Sequence, residues 1–213
     1  MAASVLALAL TLALELNHVA AQNKSGTETA VLAGGCFWTM QAVFDKVPGV
    51  ITTEVGFTGG RTERPTYAQV VAGGTGHLEA VRIEFNPGVV SFAQLLDVYW
   101  RNIDPTRTDE QFCDIGRAYN PTVFYIGEAQ QRAALASKAA VEKSKPFSAS
   151  IRTPIIAAPT FWPAEDEQQQ FYRREPERYA AYVRGCGRAE RLERLWGPAT
   201  TRPKTETGSR STQ

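Results

Sequence analysis

The sequence predicts a mixed fold of the α/β or α+β class, with strands and helices interleaved along one continuous body. Three observations carry this. Residues 78–85 (LEAVRIEF) alternate with a period of two, residues 128–143 are an Ala-rich run of helix formers without Gly or Pro, and segments of both kinds recur with short turn sequences between them. In chain order, the apolar run Ala30-Val31-Leu32-Ala33 is the first strand, and Gly34-Gly35 turns it into a helix-like stretch over 39–47. Residues 51–57 alternate and stop at Gly59-Gly60, so they form a strand, and 78–85 is the next one. Ser91 begins a helix that runs to about Asn102, with Ser91 and Gln94 spaced as a capping box. A strand over 122–126 ends at Gly127 and leads into the helix at 128–143. Residues 151–157 form the last strand, and Pro154, lacking an N–H, places it at a sheet edge. From Ala164 onward the pattern is helical, with a break near Pro176.

At 213 residues the chain suits one domain with extensions. That domain is expected over 29–197, after a polar linker at 22–28 and before a polar, disordered tail at 198–213. Lys and Arg number 23 against 22 Asp and Glu, a balance that speaks against a nucleic-acid binder, and the charges alternate in sign as on a solvated helix face. Residues 5–14 (VLALALTLAL) followed by Val19-Ala20-Ala21 have the form of a signal peptide over 1–21, although no basic residue precedes the run and Glu15 follows it. The run is shorter than the roughly 20 residues of a membrane span, so no stable membrane anchor is expected. With a working leader the protein is exported, to the periplasm or outside the cell; otherwise it is cytoplasmic.

Of the three cysteines, Cys36 has the most informative setting. It stands in Gly35-Cys36-Phe37-Trp38, between a strand and a helix, where free N–H groups and the helix dipole favour a thiolate. Two large apolar side chains directly after it form a pocket for something small and greasy. A buried, inert cysteine fits the same spacing. Strand alternation puts Glu79 on one face with Val81, Ile83 and Phe85, and burial there raises a carboxyl pKa and keeps the group a proton donor. A strand-end Glu turned to solvent is the competing reading. Tyr67 and Tyr119 sit in expected loops and offer phenol donors to an oxygen gaining charge. His77, the only histidine of the body, reads as a strand-start residue with satisfied hydrogen bonds, and so few histidines leave little for a transition metal.

Together these residues resemble the peptide methionine sulfoxide reductase A family, which acts on the S epimer of the sulfoxide. The resemblance runs through Gly35-Cys36-Phe37-Trp38, Gly56-Phe57-Thr58-Gly59-Gly60, Pro65-Thr66-Tyr67, Thr75-Gly76-His77-Leu78-Glu79-Ala80-Val81, Asp114-Ile115-Gly116 with Tyr119, and Pro163-Ala164-Glu165-Asp166. It implies a ferredoxin-like, two-layer α/β sandwich with a mixed sheet and flanking helices. It implies further that Cys36 attacks the sulfoxide sulfur, that Glu79 protonates its oxygen with help from Tyr67 and Tyr119, that Phe37 and Trp38 enclose the methyl group, and that Asp114 positions thiol and substrate. Cys36 would become a sulfenic acid, which a second thiol converts to a disulfide for reduction by thioredoxin, or by dithiothreitol in vitro, with no bound cofactor or metal. Cys186, flanked by glycines, is the expected resolving thiol, with Cys113 as the alternative. The implied partners are oxidised proteins or peptides and a thioredoxin-like reductant, the enzyme acting as a monomer. Three departures stand out: Ala118-Tyr119-Asn120-Pro121 where the family commonly has Gln-Tyr-Arg-Ser, Gln168 in place of a His, and Phe57 in place of a Tyr. A thiol peroxidase and a non-catalytic reader of oxidised methionine are the competing functions; the pocket aromatics and Glu79 oppose the first, the retained acid and tyrosines the second.

Overall fold

A computed structural model describes residues 26–198. The expected leader, most of the linker and the tail beyond 198 lie outside the described residues. The first half of the domain comprises β1 (Glu28–Ala33), α1 (Phe37–Phe44), β2 (Val50–Thr58), α2 (Tyr67–Ala72), β3 (Leu78–Phe85) and α3 (Phe92–Trp100). A small ribbon, β4 (Glu110–Gln111) and β5 (Asp114–Ile115), and a 3-10 turn over Arg117–Tyr119 lead into β6 (Thr122–Tyr125). The rest is α4 (Gly127–Ser144), β7 (Ile155–Ala157), β8 (Trp162–Pro163), α5 (Phe171–Arg174), α6 (Pro176–Gly185) and α7 (Arg188–Trp196).

Six strands form one sheet in the order β7-β6-β1-β3-β2-β8. All pairs are antiparallel except β6–β7. The path β1, α1, β2, β3, α3, β6 is the ferredoxin-like βαββαβ unit, with β7 and β8 added at its edges. The expected mixed-sheet sandwich is therefore the observed fold. Among the described residues, no helix is long and apolar enough to cross a membrane.

Period-two alternation decides what each face buries. Val81, Ile83 and Phe85 of β3 join Ala30, Leu32, Val55 and Phe57 in the main core, against Phe37, Met40 and Phe44 of α1 and Leu95, Leu96, Tyr99 and Trp100 of α3. The opposite face carries a smaller cluster, Val31, Ala33, Leu78, Ala80 and Phe124, covered by Ala158 and Phe161. Glu79 shares its face with the main core and is 1% exposed. The sheet therefore forces a carboxyl group into the dry layer between strands and helices.

Helix α3 has the expected Ser91–Gln94 capping box. Several other elements differ from expectation, each for an identifiable reason. Tyr67 opens a helix rather than lying in a loop: Thr66 and Gln69 make a second capping box, on an element of six residues, too short for periodicity to reveal. Within 151–157 only Ile155–Ala157 is strand, at the sheet edge as Pro154 indicated, because the Arg152 N–H bonds Pro105 O at 2.8 Å instead of a neighbouring strand. It is also not the last strand, since β8 pairs with β2. Residues 164–170 are turns, not helix: the Gln169 amide accepts from Val55 N–H at 2.9 Å and donates to Val55 O at 2.8 Å, standing in for a strand.

Candidate active site

The chain leaves β1 through Gly34-Gly35 and delivers Cys36 to the N-cap of α1. Gly35 has φ 83°, and a Cβ there would lie 2.7 Å from Cβ of Gln111, so this turn requires glycine. Cys36 offers no side-chain cap to the helix. The first helical N–H, that of Phe37, is instead satisfied by Glu79 Oε2 at 2.9 Å. One hydrogen bond thus fixes the carboxyl beside the thiol, and both are buried.

Aromatic rings wall the space around them. Phe37 lies 5.9 Å from Tyr67 in a stacked arrangement and 5.7 Å from Phe57. Trp38 stacks on Tyr67 at 6.0 Å and on Phe171 at 3.9 Å, and its indole N–H donates to Gln168 Oε1 at 3.0 Å. Glu165 anchors α2 by accepting the Tyr67 N–H at 2.9 Å. His77 holds the loops below: its Nδ1 accepts from Gly60 N–H at 3.1 Å while Nε2 lies 2.7 Å from Thr62 O. That pair of partners makes it the satisfied structural residue expected from the sequence.

The charges of Cys36, Glu79, Asp114, Tyr67 and Tyr119 act on one another, so the fold gathers the sequence-predicted groups around one point. Burial pushes the Glu79 carboxyl up to about 8, partly opposed by the Phe37 N–H and reinforced by the charge of Asp114. It carries a proton at neutral pH. Burial raises Asp114 as well, against a hydrogen bond from Tyr182 and the charge of Arg188. Both tyrosines are held protonated by burial and by Glu79. The expectation of a pre-activated thiol is overturned: burial, then Glu79 and Asp114, push Cys36 up to about 12. A helix terminus contributes about 0.3–1 kcal/mol, whereas three pH units are worth about 4 kcal/mol. Desolvation wins, and the resting sulfur is a thiol.

The other two cysteines are joined. Cys113, exposed before β5, forms a disulfide with Cys186, buried after α6, and Cys36 is the free one. Cys186 therefore does not swing on a flexible segment; it caps α6, and Gly187 begins a second helix. That helix docks through Leu192, Leu195 and Trp196 against Phe112, Val141 and Phe147. Its Arg191 binds the buried Asp104 at 2.7 Å.

The sequence model of the family described as peptide methionine sulfoxide reductase matches residues 28–200. The chain belongs to this family. A relative from Bacillus licheniformis, peptide methionine sulfoxide reductase MsrA, is 44% identical over 170 residues, 80% of this chain and 94% of its own. MsrA 1 of Lactococcus lactis is 46% identical over 171 residues, 80% of this chain and 93% of its own. Among solved structures, methionine sulfoxide reductase A of Corynebacterium diphtheriae superposes with a TM-score of 0.65 at 32% identity, covering 72% of this chain and 77% of that one. Reduced Mxr1 of Saccharomyces cerevisiae shares the fold, with a TM-score of 0.68 at 24% identity over 73% of this chain and 89% of its own.

For a methionine sulfoxide reductase, the three departures are accommodated without disturbing the pocket. Phe57 lies directly opposite Glu79 in the β2–β3 register, so a ring without a hydroxyl keeps the carboxyl dry. Gln168 accepts the hydrogen bond of the Trp38 indole N–H. Asn120 donates from its amide to Asp109 Oδ1 at 3.1 Å. The residues that sequence reasoning missed are Phe171, under Trp38, and Tyr182, whose ring meets Trp38 edge-on at 6.0 Å. Phe171 carried no signal. Tyr182 did, because it stands four residues before Cys186 and so shares its helix face.

Proposed function

We propose that this protein reduces methionine-(S)-sulfoxide, in peptides and proteins and as the free amino acid, to methionine. The observation that carries this reading is a protonated, buried Glu79 held by Phe37 N–H beside the buried Cys36 sulfur. A sulfoxide needs a nucleophile at sulfur and an acid at oxygen, and those two groups meet here. Phe37 and Trp38 take the methyl group, while Tyr67 and Tyr119 donate to the oxygen as it becomes basic. Proton donation from Glu79 makes the substrate sulfur cationic, and that charge brings the neighbouring Cys36 down to thiolate when it is needed. Cys36 attacks, methionine leaves, and the oxygen stays on Cys36 as a sulfenic acid; the proton given by Glu79 is replaced by the one Cys36 lost.

Recycling uses the remaining pair. Cys186 condenses with the sulfenic acid, releasing water and forming Cys36–Cys186. Cys113 then attacks Cys186, which frees Cys36 and leaves the disulfide seen in the structure. Cys113 is the exposed member, so it offers the sulfur that a thioredoxin-like dithiol can reach. If the run at 1–21 works as a signal peptide, the enzyme and its donor lie outside the cytosol; otherwise both are cytoplasmic.

Incubation with dithiothreitol and each epimer of a blocked methionine sulfoxide tests the reading. Methionine is expected from the S epimer alone. No turnover of it sinks the proposal, and equal turnover of both epimers sinks the stereochemical part. Removing both phenols (Tyr67→Phe with Tyr119→Phe) is expected to lower kcat by on the order of 10²-fold or more. A double variant with wild-type kcat would show that neither hydroxyl reaches the oxygen.

A further inference from the structure

Tyr182 lies between the surroundings of Cys36 and Cys186. Its hydroxyl donates to Asp114 Oδ2 at 2.6 Å. The same phenol is near enough to Cys36 for the two groups to act on one another electrostatically, and its hydroxyl lies 3.8 Å from Cys186 Sγ. Cys186 is four residues further on, with its N–H on Tyr182 O, so the helix itself stacks phenol and sulfur on one face. Asp114, adjacent to Cys113, completes the arrangement. A single phenol thus stands between the sulfur that is oxidised and the sulfur that resolves it.

We infer that Tyr182 is a further catalytic residue, which carries the proton of the Cys186 thiol to the oxygen leaving Cys36. This rests on the sulfenic acid reading given under Proposed function. In the step, the Cys186 S–H proton passes to the phenol oxygen while the phenolic proton moves onto the Asp114 carboxylate. Cys186 sulfur bonds to Cys36 sulfur, the Cys36 S–O bond breaks, and the proton returns through Tyr182 to that oxygen, which departs as water. Cys186 is oxidised, Cys36 is reduced from sulfenic acid to disulfide, and Asp114 and Tyr182 end as they began. Glu79 does not serve this transfer, because it is held by Phe37 N–H on the substrate side.

The test starts from the fully reduced protein, with three thiols, mixed with one equivalent of the blocked S-sulfoxide. Methionine is followed by rapid quench, sulfenic acid by dimedone trapping, and disulfide by loss of free thiols. In Tyr182→Phe the rate of sulfenic acid loss is expected to fall about 10²-fold more than the rate of methionine formation. The pH profile separates a proton carrier from a packing residue. The titratable and charged groups facing the phenol are Asp114, Cys36 and Arg188. With the relay, the wild-type resolving rate is flat around neutral pH, where Asp114 supplies the base. Without it, the rate climbs about tenfold per pH unit up to about pH 8.5, following a free thiol. Equal slowing of both steps in Tyr182→Phe, or a wild-type resolving rate that climbs in this way, overturns the inference; the second result needs no variant to fold. A wild-type protein that makes no methionine overturns the reductase reading instead.

Discussion

Replacing Glu79 with Gln is expected to cut methionine formation by about 10²–10⁴-fold and, at the same time, to make the protein more stable in alkaline solution. Both effects come from the same burial. The folded carboxyl is pushed up to about 8, whereas an unfolded Glu titrates near about 4.3. Between those values the native state keeps a proton that the unfolded state has released, so stability falls as pH rises through that window. By pH 9 the loss amounts to on the order of 5 kcal/mol. Gln keeps the shape and still accepts the Phe37 N–H, but it has no charge to desolvate. Urea midpoints at pH 5 and pH 9 should therefore drop steeply for the wild type and stay nearly level for Glu79→Gln. The wild-type rate of methionine formation should also fall above about pH 8, as the acid loses its proton. A variant that is inactive yet loses as much stability as the wild type between pH 5 and pH 9 would mean that Glu79 is not held neutral in the folded state.

Changing Cys186 to Ser should leave one turnover and abolish cycling with thioredoxin. The protein would release one equivalent of methionine and stop as a sulfenic acid, visible as dimedone trapping and a gain of one oxygen by mass spectrometry. Cys113→Ser makes the companion measurement. It should stop one step later, at a Cys36–Cys186 disulfide that dimedone does not trap. Both changes remove the same cross-link between residues 73 apart in sequence, worth about 4 kcal/mol through the entropy of the unfolded chain. Equal losses of thermal stability with different arrested species would therefore separate chemistry from folding. Thioredoxin-dependent turnover of Cys186→Ser at the wild-type rate would transfer the resolving role to Cys113 or to direct reduction.

The sequence was most legible where geometry is local. Strand Leu78–Phe85 has the expected bounds, and its alternation put Glu79 on the buried face without any tertiary information. The membership of the site was legible as well, because Cys36, Tyr67, Glu79, Asp114 and Tyr119 keep recognisable surroundings. The state of the thiol was not. It is decided by how completely the pocket closes around Cys36, and by two carboxyl groups 43 and 78 residues away in the chain. Tyr182 was hidden for another reason: Glu177, Arg178 and Arg184 make α6 read as a solvated helix, and only the four-residue spacing to Cys186 pointed the other way. The disulfide was equally invisible, since three cysteines allow three pairings and their spacing favours none.

Helix α6 has no fully buried residue, whereas β3 is buried along most of its length. Local opening is cheapest where few apolar groups are covered. The domain is thus divided mechanically: the sheet and α1 form a stiff frame that holds the oxygen-transfer groups in register, and α6, bearing Tyr182, becomes an arm that can fray once reduction of the Cys113–Cys186 bond releases its end. Amide exchange in α6 should be the faster of the two. The reach that disulfide exchange demands of Cys186 is then supplied by fraying one short helix, and the geometry around Glu79 is spared the motion.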